Sequence, residues 1–177
     1  MKHLLLAVFC VLFSSHLIFC DSSEEKEVKT KCDKLGEKAE IIEDSINATY
    51  RFLRTPEEYK GLVDACQAVN FCAASMKSHK ETFLEKYELC SFYRFYNKDF
   101  SSCAKKLIAK KDDKIPCLDT LFNDIYEPDV NECDQWDSLQ PCIKSNIESV
   151  CGEKTDEWVK QAAVFRKAMC EKKDDDD

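Results

Sequence analysis

The sequence predicts an all-α, mainly helical single domain stapled by about five disulfides. Three observations carry that prediction. Glycine and proline are scarce, with 3 and 4 in 177 residues, whereas sandwiches and barrels use many of both at their turns. Apolar residues recur at helical rather than alternating spacing. The chain holds 12 cysteines, and the N-terminal pattern sends it to a compartment where cysteines pair.

That N-terminal pattern comes first in the chain. Lys2 and His3 precede an unbroken apolar run, Leu4 to Phe13, and charge begins abruptly at Asp21. A short positive segment, an apolar segment and a polar boundary form a secretory signal peptide. Residues 1–20 are assigned to it, with cleavage after Cys20. The run is too short for a spanning helix, which takes about 20 apolar residues. Bulky Phe19 argues against a lipid-modified Cys20. No later segment is long and apolar enough to span, so no stable membrane insertion is expected, and the expected location is extracellular.

Ten cysteines follow the signal: Cys32, Cys66, Cys72, Cys90, Cys103, Cys117, Cys133, Cys142, Cys151 and Cys170. Their even number reads as five disulfides, and the possible pairings run to several hundred. No Cys-x-x-Cys occurs, which argues against a zinc site or a thioredoxin-type redox pair. Neither a metal nor a cofactor is expected. Cys66 and Cys72 share a predicted helix and would lie about 9 Å apart along its axis. Disulfide geometry needs Cα atoms within about 7 Å. Each must therefore reach a different segment.

The remaining elements follow in order. Residues 21–31 lack an apolar stripe and read as a loose charged arm. The cysteine-rich helical domain is placed at 32–170 and an acidic tail at 171–177. Leu35, Ala39, Ile42, Ile46, Tyr50 and Leu53 mark the first helix. Thr55, Pro56 and Glu58 form a capping-box start for the second, with Tyr59, Leu62, Val63, Cys66 and Val69 on its inner face. A third segment starts near Lys80 and carries Phe83, Tyr87 and Cys90. Pro116 disfavours helix at Ile115. A short helical turn is expected over Leu121 to Tyr126, then a loop over Glu127 to Asp134. Leu139, Ile143, Ile147 and Val150 mark the next helix. Thr155 is expected to cap the last, with Trp158, Ala162, Phe165 and Met169 inside.

The chain resembles a nematode-expanded family of secreted cysteine-rich proteins, domain of unknown function 19. The resemblance spans about residues 32–170. It rests on Cys66-x5-Cys72, on Phe-Ser-Ser-Cys-Ala-Lys-Lys-Leu from Phe100 to Leu107, and on Cys133, Cys142, Cys151 and Cys170 with Ile-Glu-Ser-Val before Cys151. It implies secretion and disulfides and assigns no activity.

The residues themselves exclude several function classes. Loss of Lys2 with the signal takes the formal charge from −8 to −9, a poor balance for binding nucleic acid. Gly36, Gly61 and Gly152 are isolated, so no phosphate loop exists. His79 is the one histidine beyond the signal and sits between lysines as an exposed junction residue. Two carboxylates facing each other in a cleft would mark a hydrolase.

Two stretches could bind. Phe92, Tyr93, Phe95, Tyr96 and Phe100 interleave with Arg94 and Lys98. Phe92, Tyr96 and Phe100 fall on a core stripe with Leu89, Cys103 and Leu107. Tyr93 and Phe95 lie off it, as surface candidates for a sugar or a lipid. Lys105, Lys106, Lys110 and Lys111 could meet an acidic glycan, but Asp112 and Asp113 beside them favour a solvated face. Asn47-Ala48-Thr49 is the only glycosylation sequon; its phase beside Ile46 predicts an exposed, glycosylated Asn47. The reading is a non-catalytic extracellular binding or interaction domain, its partner an extracellular protein or a small ligand. The alternatives are a carrier of a small apolar ligand in an inter-helix cavity and a carboxylate-dependent secreted hydrolase.

Overall fold

A computed structural model describes residues 2–47, 51–110, 114–123 and 131–171; the side chains of residues 2–22, 47 and 171 lie outside the description. The elements are α1 (Lys2–Asn47), α2 (Lys60–Ala73), α3 (Lys80–Lys86), α4 (Leu89–Asn97), α5 (Ser101–Lys110), α6 (Pro116–Phe122), α7 (Glu132–Cys151) and α8 (Thr155–Glu171), with a 3₁₀ turn at Gly152–Lys154. No strand occurs among the described residues. The protein is all-α.

Five disulfides bind these helices in two groups. Cys32–Cys72 joins α1 to α2, and Cys66–Cys90 joins α2 to α4. Cys103–Cys151, Cys117–Cys142 and Cys133–Cys170 tie α5, α6 and α8 to α7. Cys66 and Cys72 thus reach different helices, as their spacing requires. Among the described residues, no disulfide links the group α1–α2–α4 to the group α5–α8.

An aromatic core joins the groups. Phe92 of α4 lies 4.6 Å from Phe165 of α8 between ring centroids. Phe100 stacks on Trp158 at 4.9 Å, and Trp136 meets Phe165 at 4.9 Å. Tyr59 packs on Tyr93 at 5.0 Å. Helix α4 is thereby held by α2 on one side and α8 on the other. Packed on two sides, α4 leaves only the narrow strip of Ser91, Arg94 and Asn97 toward solvent. That corrects the expectation for Tyr93 and Phe95, which are 1% and 4% exposed and form no surface platform.

The link between α1 and α2 is pinned from two directions. The Tyr96 hydroxyl donates to the Arg54 carbonyl at 2.8 Å, and the Arg54 N–H donates to the Tyr59 oxygen at 3.3 Å. The Leu53 N–H donates to the Leu121 carbonyl at 3.0 Å. Burial pushes the Tyr59 and Tyr96 phenols well above their ordinary range. The capping box forms, with Glu58 N–H donating to Thr55 Oγ1 at 3.3 Å and Thr55 N–H donating to Glu58 Oε2 at 2.9 Å. Residues 56–59 form a turn and regular helix starts at Lys60.

Five local expectations change. Residues 21–31 are helical and form part of α1; the i,i+4 pairs Glu27–Lys31 at 2.7 Å and Lys29–Asp33 at 3.0 Å support a helix without a full apolar stripe. The third segment breaks after Lys86 and again after Asn97. The short helix lies at Pro116–Phe122, one turn earlier than expected, because Pro116 starts it at the first position. Thr155 does not cap: it has helical φ −63° and ψ −48°, and its buried hydroxyl has no hydrogen-bond partner. The preceding 3₁₀ turn runs straight into α8, so no cap position exists there. Asn131 instead caps α7, accepting from the N–H groups of Cys133 at 2.8 Å and Asp134 at 3.3 Å, so the expected loop ends before Asp134. The signal side chains and the Asn47 side chain, together with residues 48–50, 111–113, 124–130 and the tail 172–177, lie outside the described residues, and with them the expectations for the Asn47 sequon, Tyr50, Lys111, Asp112, Asp113 and Tyr126.

Gly36 is required by packing. A Cβ placed on it would overlap the Tyr87 ring, 2.5 Å from Cε1, and Tyr87 is itself buried at 6% exposure. Gly36→Ala should destabilise the fold by about 1–3 kcal/mol, as overpacking does. A denaturant titration checks this; an unchanged midpoint would refute the close approach.

Candidate functional site

The site is built on the antiparallel pair α7 and α8. Cys133 bonds Cys170 and Asp137 pairs with Arg166, a register that sets Pro141 opposite Ala162 and Lys144 opposite Val159. Pro141 lies inside α7. It removes one backbone donor and crowds the preceding turn, so the carbonyl of Asp137 loses its helical partner. The facing residues of α8 are Ala162 and Ala163, too small to fill the space. The result is an open groove of about 530 Å³ along the helix pair, based on the edges of Trp136 and Trp158. Val159, 48% exposed, is the one large hydrophobic that α7 and α8 leave to solvent among the described residues.

The two ends of the groove differ in charge. At one end Arg166 donates from Nε and Nη2 to the two Asp137 carboxylate oxygens, both at 2.7 Å. This hydrogen bonding holds the Asp137 carboxyl below its ordinary value and raises the Arg166 guanidinium. At the other end, Lys144 Nζ stands 3.8 Å from Glu148, with both side chains more than half exposed.

A second depression, about 340 Å³, lies among α1, α2, α8 and the α3–α4 junction. Glu40, Glu43, Glu85 and Glu88 line it with Lys86 and Lys167. It brings carboxylates into one cleft, the mark set for a hydrolase. Two of them have structural partners. Tyr93 Oη donates to Glu43 at 3.2 Å, and Lys167 Nζ donates to Glu88 at 3.0 Å. Glu43 and Glu88 thus serve to close the seam between α1, α4 and α8, one through a tyrosine hydroxyl and one through an ion pair.

The sequence-derived candidates scatter. His79 is exposed and starts α3 in the left-handed region, at φ 60°. Lys105 pairs with Glu57 at 2.7 Å and is not among the residues that line the α7–α8 groove. No three metal-ligating side chains converge among the described residues, and no helix there is long and apolar enough to cross a membrane. The groove residues were missed as a set. Their one sequence signal was a proline inside an otherwise helical pattern, Leu139-Gln140-Pro141-Cys142, with an Ala-Ala pair in the next helix.

The covalent frame and its helices have a family match. Residues 20–171 match Domain of unknown function (DUF19). The chain belongs to that family. No curated protein and no solved structure matches it. The DUF19 match covers every described disulfide and both groove helices, so the groove belongs to the family domain rather than to an appended segment.

The Asp137–Arg166 pair has a pH signature. A carboxyl held below its unfolded value adds stability above about pH 4 and loses that contribution as pH falls through the folded value. Both groups are over 40% exposed, so the stability effect is small and the titration itself is the better readout. An NMR pH titration should place the Asp137 carboxyl midpoint below 3.8, and Arg166→Gln should return it upward. A wild-type midpoint at the ordinary value would dissolve the pair.

Proposed function

We propose that this DUF19 protein is a secreted, extracellular binding domain without catalytic activity, and that it takes an apolar group into the α7–α8 groove. The groove carries the reading. It is a concave apolar surface of ligand size, about 530 Å³, edged by a few polar groups, the usual composition of a binding site. Secretion is supported by the charge-then-apolar pattern of residues 1–20 and by five disulfides, which persist in oxidising compartments. The absence of catalysis rests on chemistry at the groove. Its only acid, Asp137, is engaged by Arg166, and His79 is remote from it in sequence and helix. The carrier alternative survives in altered form, since the space is an open groove and not a chamber between helices.

Native mass spectrometry of the protein purified from the medium of a eukaryotic host tests this. The expected result is a species carrying bound small-molecule mass that Ala163→Phe removes. Ala163 is exposed, so filling the groove there leaves the core intact. A bare protein mass, together with no uptake of added apolar ligands, would overturn the reading. Peptide mapping of the same material before and after deglycosylation should find a glycan on Asn47 and a mature chain starting at Asp21.

A further inference from the structure

We infer that the groove's ligand is a small amphiphile with an anionic head, whose apolar body lies along Pro141, Val159, Ala162 and Ala163 and whose head meets Lys144. This rests on the reading of the groove as a binding site and names its ligand class.

Size argues for a small molecule rather than a protein. Ten of the described residues line the groove, whereas a protein partner engages about 20–30 residues a side. Apolar exposure also stops at the rim. Beyond Val159, the large hydrophobics exposed among the described residues are Ile41 of α1 and Phe71 of α2, on the other disulfide-linked group. Glu132, Asp134, Ser138 and Lys160, on the outer faces of α7 and α8, lie in solvent or partly so. Among the described residues a protein would find no exposed large hydrophobic on these helices beyond Val159, while a ligand small enough to enter the groove buries its whole apolar body.

Charge sets the head group. The Asp137–Arg166 end is closed by a bidentate pair, with the acid already satisfied. The Lys144 end is open. The Lys144 side chain is 52% exposed and makes a 3.8 Å contact with Glu148, an arrangement that contributes little. The two ends are seven residues apart on α7, about 10 Å. The groove's own charged groups, Lys144, Arg166 and Asp137, sum to +1 in a chain of formal charge −8. An anionic head at Lys144 therefore meets the one ammonium lining the groove among the described residues and competes there only with the long, exposed contact to Glu148. A cationic head meets repulsion there and no free carboxylate within the groove.

The test is calorimetric titration of the full secreted protein with decanoate, decanol and decyltrimethylammonium, each below its micellar concentration. Decanoate should bind most tightly and decyltrimethylammonium least. Lys144→Glu, at an exposed position, should weaken decanoate by about fivefold, the scale of one exposed ion pair, and leave decanol unchanged. Equal binding of all three probes, unmoved by Lys144→Glu, overturns the head-group assignment and leaves the groove reading standing. No binding of any probe overturns both. A dimer in sedimentation that Val159→Glu breaks gives the groove to a second copy and overturns the amphiphile.

Discussion

The seam between α4 and α8 is the interaction on which the rest of the structure depends. Disulfides hold α1, α2 and α4 in one group and α5 to α8 in another. The groups meet through rings. Phe92 touches Phe165 and Trp158, and Phe100 stacks on Trp158. Each such pair adds about 0.5–1.5 kcal/mol beyond the area it buries. The disulfides act chiefly on the unfolded chain by limiting its freedom. They cannot orient one group against the other, because none of them crosses. That orientation is left to shape complementarity of the aromatic side chains, with the Tyr96–Arg54 and Leu53–Leu121 hydrogen bonds pinning the connecting link.

The groove depends on the same seam. Trp158 and Trp136 belong both to the aromatic core and to the base of the groove. Trp158, buried at the level of Ser145, fixes where α8 lies against α7 toward one end of the pair. Cys133–Cys170 fixes it near the other end. Between those two points Pro141 faces Ala162, and the helices have neither bulk nor freedom to close the gap. A helix pair braced at two levels but underfilled between them keeps a permanent surface depression, without any loop or lid to form it.

How much was legible varied with the kind of signal. The core stripes were read well where burial lies on one side: Tyr59, Leu62, Val63, Cys66 and Val69 are all buried. The Thr55–Glu58 box formed as its spacing requires. Periodicity misled at α4, where Tyr93 and Phe95 are buried despite lying off the stripe. A period identifies one inner face, and α4 is packed on two. Composition misled at residues 21–31, where charge suggested a loose arm. The charges there alternate at helical spacing and pair along the helix. The Asn131 cap was readable from an asparagine followed by acids in the next turn, a pattern that favours a helix start.

By itself the sequence determined the helical class, the covalent pairing of an even set of cysteines, the capping box and most of the buried stripe. These are local or compositional properties: a period of 3.6, a side chain reaching back three residues, a count of thiols. It also determined that Cys66 and Cys72 cannot pair, because one helix holds them too far apart. Only the tertiary structure decided which cysteines meet, that α4 is buried on both sides, and that Gly36 is needed to admit Tyr87. It alone decided the groove. Pro141 and Ala162 are 21 positions apart in the chain, and neither carries a signal for the other. Their opposition follows from an antiparallel register set by Cys133–Cys170 and Asp137–Arg166, and register between helices is a property of packing that no single helix's sequence contains.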